Sequence, residues 1–336
     1  MAMKTLFSRL NIDPYIASIL GVVALASALP AHGLGMTLAS DAGTGAIALM
    51  FFLQGARLAP QAALAGARHW RLHAVVLSST FLLFPALGLT ARAIAPGLLT
   101  PPLWGGLLML CLLPSTVQSS IAFTSIARGN VAAALCAATA SNLFGILLTP
   151  LLAGLLLRAH GGFSASAIGD IVVQLLLPFA AGQLARPLFG QWVGRHKALT
   201  GLVDRGSILL VVYVAFSEGV THGIWHQLDA EHFATLLLLD AGLLAAVLLA
   251  TTAISRLLGF GRADQITIVF CGSKKSLASG LPMASVLFAG QSVGLIVLPL
   301  MLFHQIQLMV CAALARRYAA APVLGQRPMA GLAGNG

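Results

Sequence analysis

Two adjacent lysines, Lys274 and Lys275, stand inside an apolar stretch, in the string Phe270-Cys271-Gly272-Ser273-Lys274-Lys275-Ser276-Leu277-Ala278-Ser279-Gly280-Leu281-Pro282. A charged lysine at the centre of a membrane costs about 3 kcal/mol or more. It is tolerated beside a carboxylate, a cluster of carbonyls, an anionic ligand or a water-filled cavity. The chemistry open to such a pair is to attract an anion, to fill the place of a metal cation, or to carry a proton. The blander alternative is that a span starts after the lysines and leaves them at the interface. It does not fit, because Arg262 and Asp264 already mark the membrane edge upstream, and residues 276–290 are too few for a full span.

A second polar string, Pro114-Ser115-Thr116-Val117-Gln118-Ser119-Ser120-Ile121-Ala122-Phe123-Thr124, lies earlier in the chain. Hydroxyls in membrane helices often serve as glue between helices. Here the proline and the density of polar groups also point to a cavity. Ser115, Thr116, Gln118, Ser119 and Ser120 are therefore candidate binding residues, with Ser273, Lys274, Lys275 and Ser276.

These strings need helices to position them, and composition says which kind. Of 336 residues, 58% are hydrophobic and 8% are charged, against about 25% charged in soluble domains. The solvent for most of the chain is lipid. Ten stretches are apolar and long enough to span: 14–32, 41–58, 72–95, 103–127, 130–157, 165–187, 204–224, 234–257, 264–288 and 291–315. With the N-terminus inside, fifteen Lys and Arg residues fall on the inner side, Arg92 and Arg158 on the outer side, and Lys274 and Lys275 within the membrane, which accounts for all nineteen. This predicts a multi-pass protein of the inner (plasma) membrane with both termini cytoplasmic. The net charge of +10 forms no basic stripe, so the expected partner is the lipid bilayer and not nucleic acid. Cys111, Cys136, Cys271 and Cys311 sit in apolar runs without metal or disulfide spacing, and read as small core residues. The first apolar run lacks a convincing cleavage site and does not read as a signal peptide.

Spans one to five and six to ten read as two versions of one unit. Phe52-Leu53-Gln54-Gly55 in the second span matches Phe216-Ser217-Glu218-Gly219 in the seventh, and the fourth and ninth spans are the interrupted ones. An odd number of spans per half places the halves in opposite orientations. Paired broken helices at matching places point to a transporter site at mid-membrane. Where a helix breaks, backbone groups lose their partners and must face protein, water or a ligand. The exposed helix ends carry partial charges that hold ions. The division expected is a first repeat over 1–157, a second over 158–318, and a disordered cytoplasmic tail over 319–336.

Glu218 is a candidate partner for a lysine or a proton carrier, or else the partner of a hydroxyl near the outer face. Asp240 reads as lying near the outer edge of the eighth span. His304, Gln305 and Gln307 read as polar packing groups. His222, His226 and His232 read as a solvated loop and not a zinc site. Ala127-Arg128-Gly129-Asn130 reads as a tight structural turn.

The two polar strings resemble the bile acid:sodium symporter superfamily, and within it the SBF-like, YfeH-type bacterial branch. His69-Trp70-Arg71-Leu72-His73 and Phe303-His304-Gln305-Ile306-Gln307-Leu308 carry the resemblance too. It implies an all-α fold of two inverted five-helix repeats. Spans one, two, six and seven would form a panel, the rest a core in which the broken fourth and ninth helices cross. It also implies transport of organic anions by alternating access, without a cofactor. The chain departs from the sodium-coupled members at the sodium site. Phe270 stands where a glutamate is expected, and Lys274 and Lys275 where a glutamine and an asparagine are. Ser119 and Ser120 take a hydroxyl and an amide position, and Thr80 falls where another glutamine is expected. Losing an anionic ligand and gaining ammonium groups destroys a hard cation site.

The reading is a secondary transporter of a small organic anion, bile-acid-like or another organic acid, that does not use sodium because a lysine fills the cation site. Symport with sodium or a proton and a non-transporting regulatory role stay open as alternatives. An enzyme is disfavoured, since no nucleophile or acid–base pair falls on adjacent helical turns.

Overall fold

The computed structural model describes residues 14–57, 69–157, 172–221, 223, 228–289 and 291–320, and within them it is helical with no strand. The helices are α1 (Pro14–Ala28), α2 (Gly33–Arg57), α3 (Trp70–Ile94), α4 (Pro101–Leu112), α5 (Val117–Ile126), α6 (Val131–Leu156), α7 (Val172–Arg195), α8 (Lys197–Thr221), α9 (Ala230–Leu257), α10 (Arg262–Gly272), α11 (Leu277–Leu287) and α12 (Val293–Ala320).

Their ends follow local chemistry. Paired prolines open α4, where a missing N–H costs nothing. Asn130 caps α6 by accepting from Ala133 N at 3.1 Å, and Asp229 caps α9 by accepting from His232 N at 2.7 Å. The backbone N–H and ring of His232 hold the Asp229 carboxyl below the usual carboxylate range. The expected turn at residues 127–130 is present, with Arg128 at φ 60°. Asn130 Nδ2 also donates to Asp264 Oδ1 at 2.8 Å, tying that turn to α10.

Seven helices are long and apolar enough to cross a membrane: α2, α3, α6, α7, α8, α9 and α12. The pair α4 and α5, bent by 62°, brings the number to eight. The ten expected spans are therefore met in part. Every expected stretch contains a helix, but α1 has only 15 residues and α10 and α11 have 11 each. Boundaries move where helix and apolar run are different things. α2 starts at Gly33 and α8 at Lys197, each several residues before its apolar run. α12 continues to Ala320, past the expected start of the tail at 319. Residues 158–171 and 321–336, with the start of the sixth expected span and most of the tail, lie outside the described residues, as do His222 and His226.

The helices pack in two groups. In one, α2 lies against α7 and α8, and α8 against α1. The other contains α3 to α6 and α9 to α12. The groups meet where α8 lies against α11 and α12. In the first group the backbones of α2 and α7 touch. A Cβ on Gly55 would stand 2.2 Å from the Phe179 carbonyl oxygen, and one on Gly182 would stand 2.0 Å from that of Phe52. Small residues permit such close approach, which stands in for the hydrophobic effect where lipid surrounds the helices.

Because the obstacle is backbone, Gly182→Ala must push two helices apart. It is expected to lower stability to SDS unfolding by about 1–3 kcal/mol. Gly201→Ala, with nothing within 4 Å of the new Cβ, is expected to hold stability or raise it by up to about 1 kcal/mol.

Candidate ion and substrate site at the helix crossing

The second group is built around two breaks of the same form. Leu113–Thr116 separates α4 from α5, and Ser273–Ser276 separates α10 from α11. The break is narrower than the polar strings, since Pro282 sits inside α11. The two linkers bind each other. Ser276 N donates to Pro114 O at 2.9 Å, Thr116 Oγ1 to Lys275 O at 2.8 Å, and Ser115 Oγ to Cys271 O at 2.7 Å.

A helix end leaves carbonyls without partners, and at the end of α4 the carbonyls of residues 111–115 each accept a hydrogen bond. Cys111 O and Leu113 O each accept from Lys275 Nζ at 2.8 Å. Leu112 O accepts from Thr149 Oγ1 at 2.8 Å, Pro114 O from Ser276 N, and Ser115 O from Asn142 Nδ2 at 2.6 Å. The third acceptor of Lys275 Nζ is Thr80 O, also at 2.8 Å. Its availability has a local cause. Residues Ser79–Leu83 form a π-turn in α3 and Phe84 N bonds Ser79 O. The next donor in that register would be residue 85, a proline, which has no N–H. Thr80 O is thus orphaned twice over, and the lysine fills the gap.

Three acceptors demand three N–H donors. An ammonium has them; a neutral amine has two and a lone pair that would face a carbonyl. Lys275 is therefore bound as a cation. It sits at the negative end of the α4 dipole, over the Phe84 ring at 4.1 Å from the centroid, and is fully buried. Gln307 of α12 fixes its backbone, accepting from Lys275 N at 3.0 Å and donating to Lys275 O at 2.9 Å.

Lys274 is equally buried but held loosely. Among the described residues its Nζ has one hydrogen bond, to Ser119 Oγ at 3.3 Å, and it lies 4.0 Å from the centroid of Phe123. Phe270 packs on Phe123 and Tyr318, with ring centroids 6.0 Å apart in each pair. An apolar aromatic wall thus occupies the place where sodium-coupled members were expected to carry a glutamate.

The crossing gathers Ser115, Thr116, Ser119, Lys274, Lys275 and Thr80. Thr80 takes part through its carbonyl, since its hydroxyl donates to Val76 O. Ser120 Oγ is 3.4 Å from Ser115 Oγ, and Ser276 caps α11. Ser273 is buried, with its hydroxyl beside the Cys311 thiol. Gln118 and Glu218 lie elsewhere, in cavities between the two helix groups. A cavity of about 230 Å³ contains Glu218 with Ser40, Thr44, Gln174 and Ser285. Another of about 350 Å³ contains Gln118 with Arg57, Lys197 and Asp204. The first lies by the start of α2 and the end of α8, the second by the end of α2 and the start of α8. They therefore sit at opposite ends of the groups' interface. Arg57 is paired with Asp204 across the second.

Among the described residues neither lysine pairs with Glu218: Lys275 Nζ meets three carbonyls and the Phe84 ring, and Lys274 Nζ meets Ser119 and the Phe123 ring. Asp240 is not at a helix edge but fully buried, ten residues into α9. Sequence reasoning also passed over Ser141, Asn142 and Thr149 on α6, which hold the α4–α5 linker. Their spacing places them on one face of an otherwise apolar helix, and that was the available signal.

A model of the SBF-like CPA transporter family matches residues 13–320. The chain is 53% identical over 308 residues to "Putative symporter YfeH" of Escherichia coli (strain K12), covering 91% of this chain and 93% of that one. It is 27% identical over 274 residues to sodium/bile acid cotransporter 7 of Mus musculus, 79% of each chain. It is 28% identical over 318 residues to that of Xenopus tropicalis, 91% of each.

Lys275→Met would strand three buried carbonyls, so a loss of about 3 kcal/mol or more is expected in SDS unfolding. Lys274→Met, which breaks one long hydrogen bond, is expected to cost less than about 1.5 kcal/mol. Equal losses would contradict the different bonding of the two side chains.

Proposed function

Because the chain belongs to the SBF-like CPA transporter family, we propose that it is a secondary transporter of a small organic anion that works without sodium. The carrying observation is the three-carbonyl seat of the Lys275 ammonium. A hard cation bound between broken helices needs oxygen ligands and an open place. Here the carbonyls that would serve it are taken by a cation that cannot leave. The names of the vertebrate relatives speak of sodium; the residues at this crossing speak against it for this chain.

In this reading the ten helical units are two inverted repeats, 1–157 and 158–318, crossing a cell membrane with both termini cytoplasmic. α1, α2, α7 and α8 form the panel and the other helices the core. The two cavities at opposite ends of their interface support alternating access, one opening at a time to each side. Lys275 acts as a fixed pin that keeps the crossing assembled through the cycle. Lys274, close to Ser119 at the start of α5, is the group free to change partners. It attracts the anion, or exchanges a proton during the cycle. Its single long hydrogen bond is the observation that favours proton exchange as a second reading.

The test is uptake into proteoliposomes, with substrates first screened by thermal shift across organic anions and sterol conjugates. Uptake is expected to be unchanged when potassium replaces sodium on both sides, and strict dependence on sodium would overturn the proposal. Lys274→Gln is expected to cut uptake by about tenfold or more, the equivalent of one charge-assisted hydrogen bond, while the melting temperature holds. A pH-gradient dependence that this variant abolishes would select the proton reading.

A further inference from the structure

Asp240 lies on the inward stripe of α9, with Leu236 one turn before it and Leu244 one turn after, all three buried. At about 1.5 Å per residue it is roughly 15 Å from the start of the helix. Neither carboxyl oxygen has a hydrogen-bond partner among the described residues. Asp41, Asp204, Asp229 and Asp264 all reach the surface to some degree, so Asp240 is the buried aspartate of the described residues.

An ionised carboxylate taken out of water without donors costs several kcal/mol, far more than the neutral acid. Little around Asp240 offsets that cost. Cys111 of α4 is within electrostatic reach, and Lys275 lies beyond it, bound to the Cys111 carbonyl. The helices packed against α9 are α3, α10 and α12. Their titratable and charged residues are Arg71, His73 and Arg92 on α3; Arg262, Asp264 and Cys271 on α10; and His304, Cys311, Arg316, Arg317 and Tyr318 on α12. α9 itself adds Glu231, His232 and Arg256. None of them donates a hydrogen bond to the carboxyl.

The place is also a junction. Gly88 of α3 has no side chain, and Cys111 Sγ stands only 2.7 Å from where its Cβ would be. α3 and α4 thus meet at a thiol that Asp240 of α9 also senses. The carbonyl of that same cysteine is one wall of the Lys275 seat. Cys111 thus stands between the crossing and Asp240.

We propose that Asp240 is a proton-binding site of the core: its carboxyl holds a proton in the conformation described here and gives it to water, becoming a carboxylate, when the packing of α3, α4 and α9 opens. This goes beyond the transporter reading and does not depend on which anion is moved.

The test is infrared difference spectroscopy of the purified protein in lipid nanodiscs at neutral pH, in H2O and after transfer to D2O. The carbonyl stretch of a protonated, dry carboxylic acid is expected in the wild type. It is expected to be lost in Asp240→Asn, kept in Glu231→Gln, and to shift in D2O while most core amides remain protected. Identical wild-type and Asp240→Asn spectra would mean an ionised Asp240 and overturn the proposal. A band that never shifts in D2O would overturn it too, as a sealed structural acid. Should Asp240→Asn fail to fold, carbon-13 labelling of aspartate in the unmutated protein reads the same band. No transported substrate enters the measurement, so a failed uptake assay and a failed proton site are separate results.

Discussion

Breaking a helix in the middle of a membrane leaves carbonyl oxygens where no water can reach them, and the way these oxygens are satisfied governs the rest of this structure. At the end of α4 the partners are protein groups drawn from two other segments, α6 and the α10–α11 linker. Lys275 supplies the central ones, and Thr149, Ser276 and Asn142 supply the others. The fold must bring α3, α6 and the α10–α11 linker to that point, because each unmet carbonyl costs about 1–3 kcal/mol. The π-turn in α3 serves the same end, presenting a carbonyl that Pro85 leaves without a donor.

The two lysines are neighbours in sequence and unlike in chemistry. Lys275 points to three carbonyls and cannot move without stranding them. Lys274 points the other way along α5, to a hydroxyl at 3.3 Å and an aromatic face. Adjacent residues on an extended linker face opposite sides, so one linker carries both a tightly and a loosely bonded lysine. A tethered ammonium stays with the chain, whereas a bound metal ion can leave.

Much of this was legible in the sequence. Lys274 and Lys275 announced themselves by their cost in lipid, and Pro114 and the serines marked the first break. What could not be read was direction. Alternation within Ser273–Ser276 does not say which lysine meets carbonyls, because those carbonyls belong to α3 and α4. Asp240 was misplaced for a related reason. Its distance from the start of the apolar run suggested an edge, but α9 begins at Ala230, and burial depends on the facing helices. Glu218 matched Gln54 in register and still landed in a cavity away from the lysines. The helix starts at Gly33 and Lys197 were invisible to hydropathy, since Gly-, Ser- and charge-bearing turns are helical without being apolar.

The central claim is that Lys275 is an ammonium locked in a carbonyl seat. The direct measurement is nitrogen-15 NMR of the lysine Nζ groups in nanodiscs at neutral pH. Lys4, Lys197 and Lys274 are the other lysines of the chain; replacing them with Arg, Arg and Gln leaves Lys275 as the one lysine observed. The account predicts a charged Nζ whose protons exchange slowly with water. A neutral amine, or an ammonium exchanging as fast as a surface lysine, would contradict it.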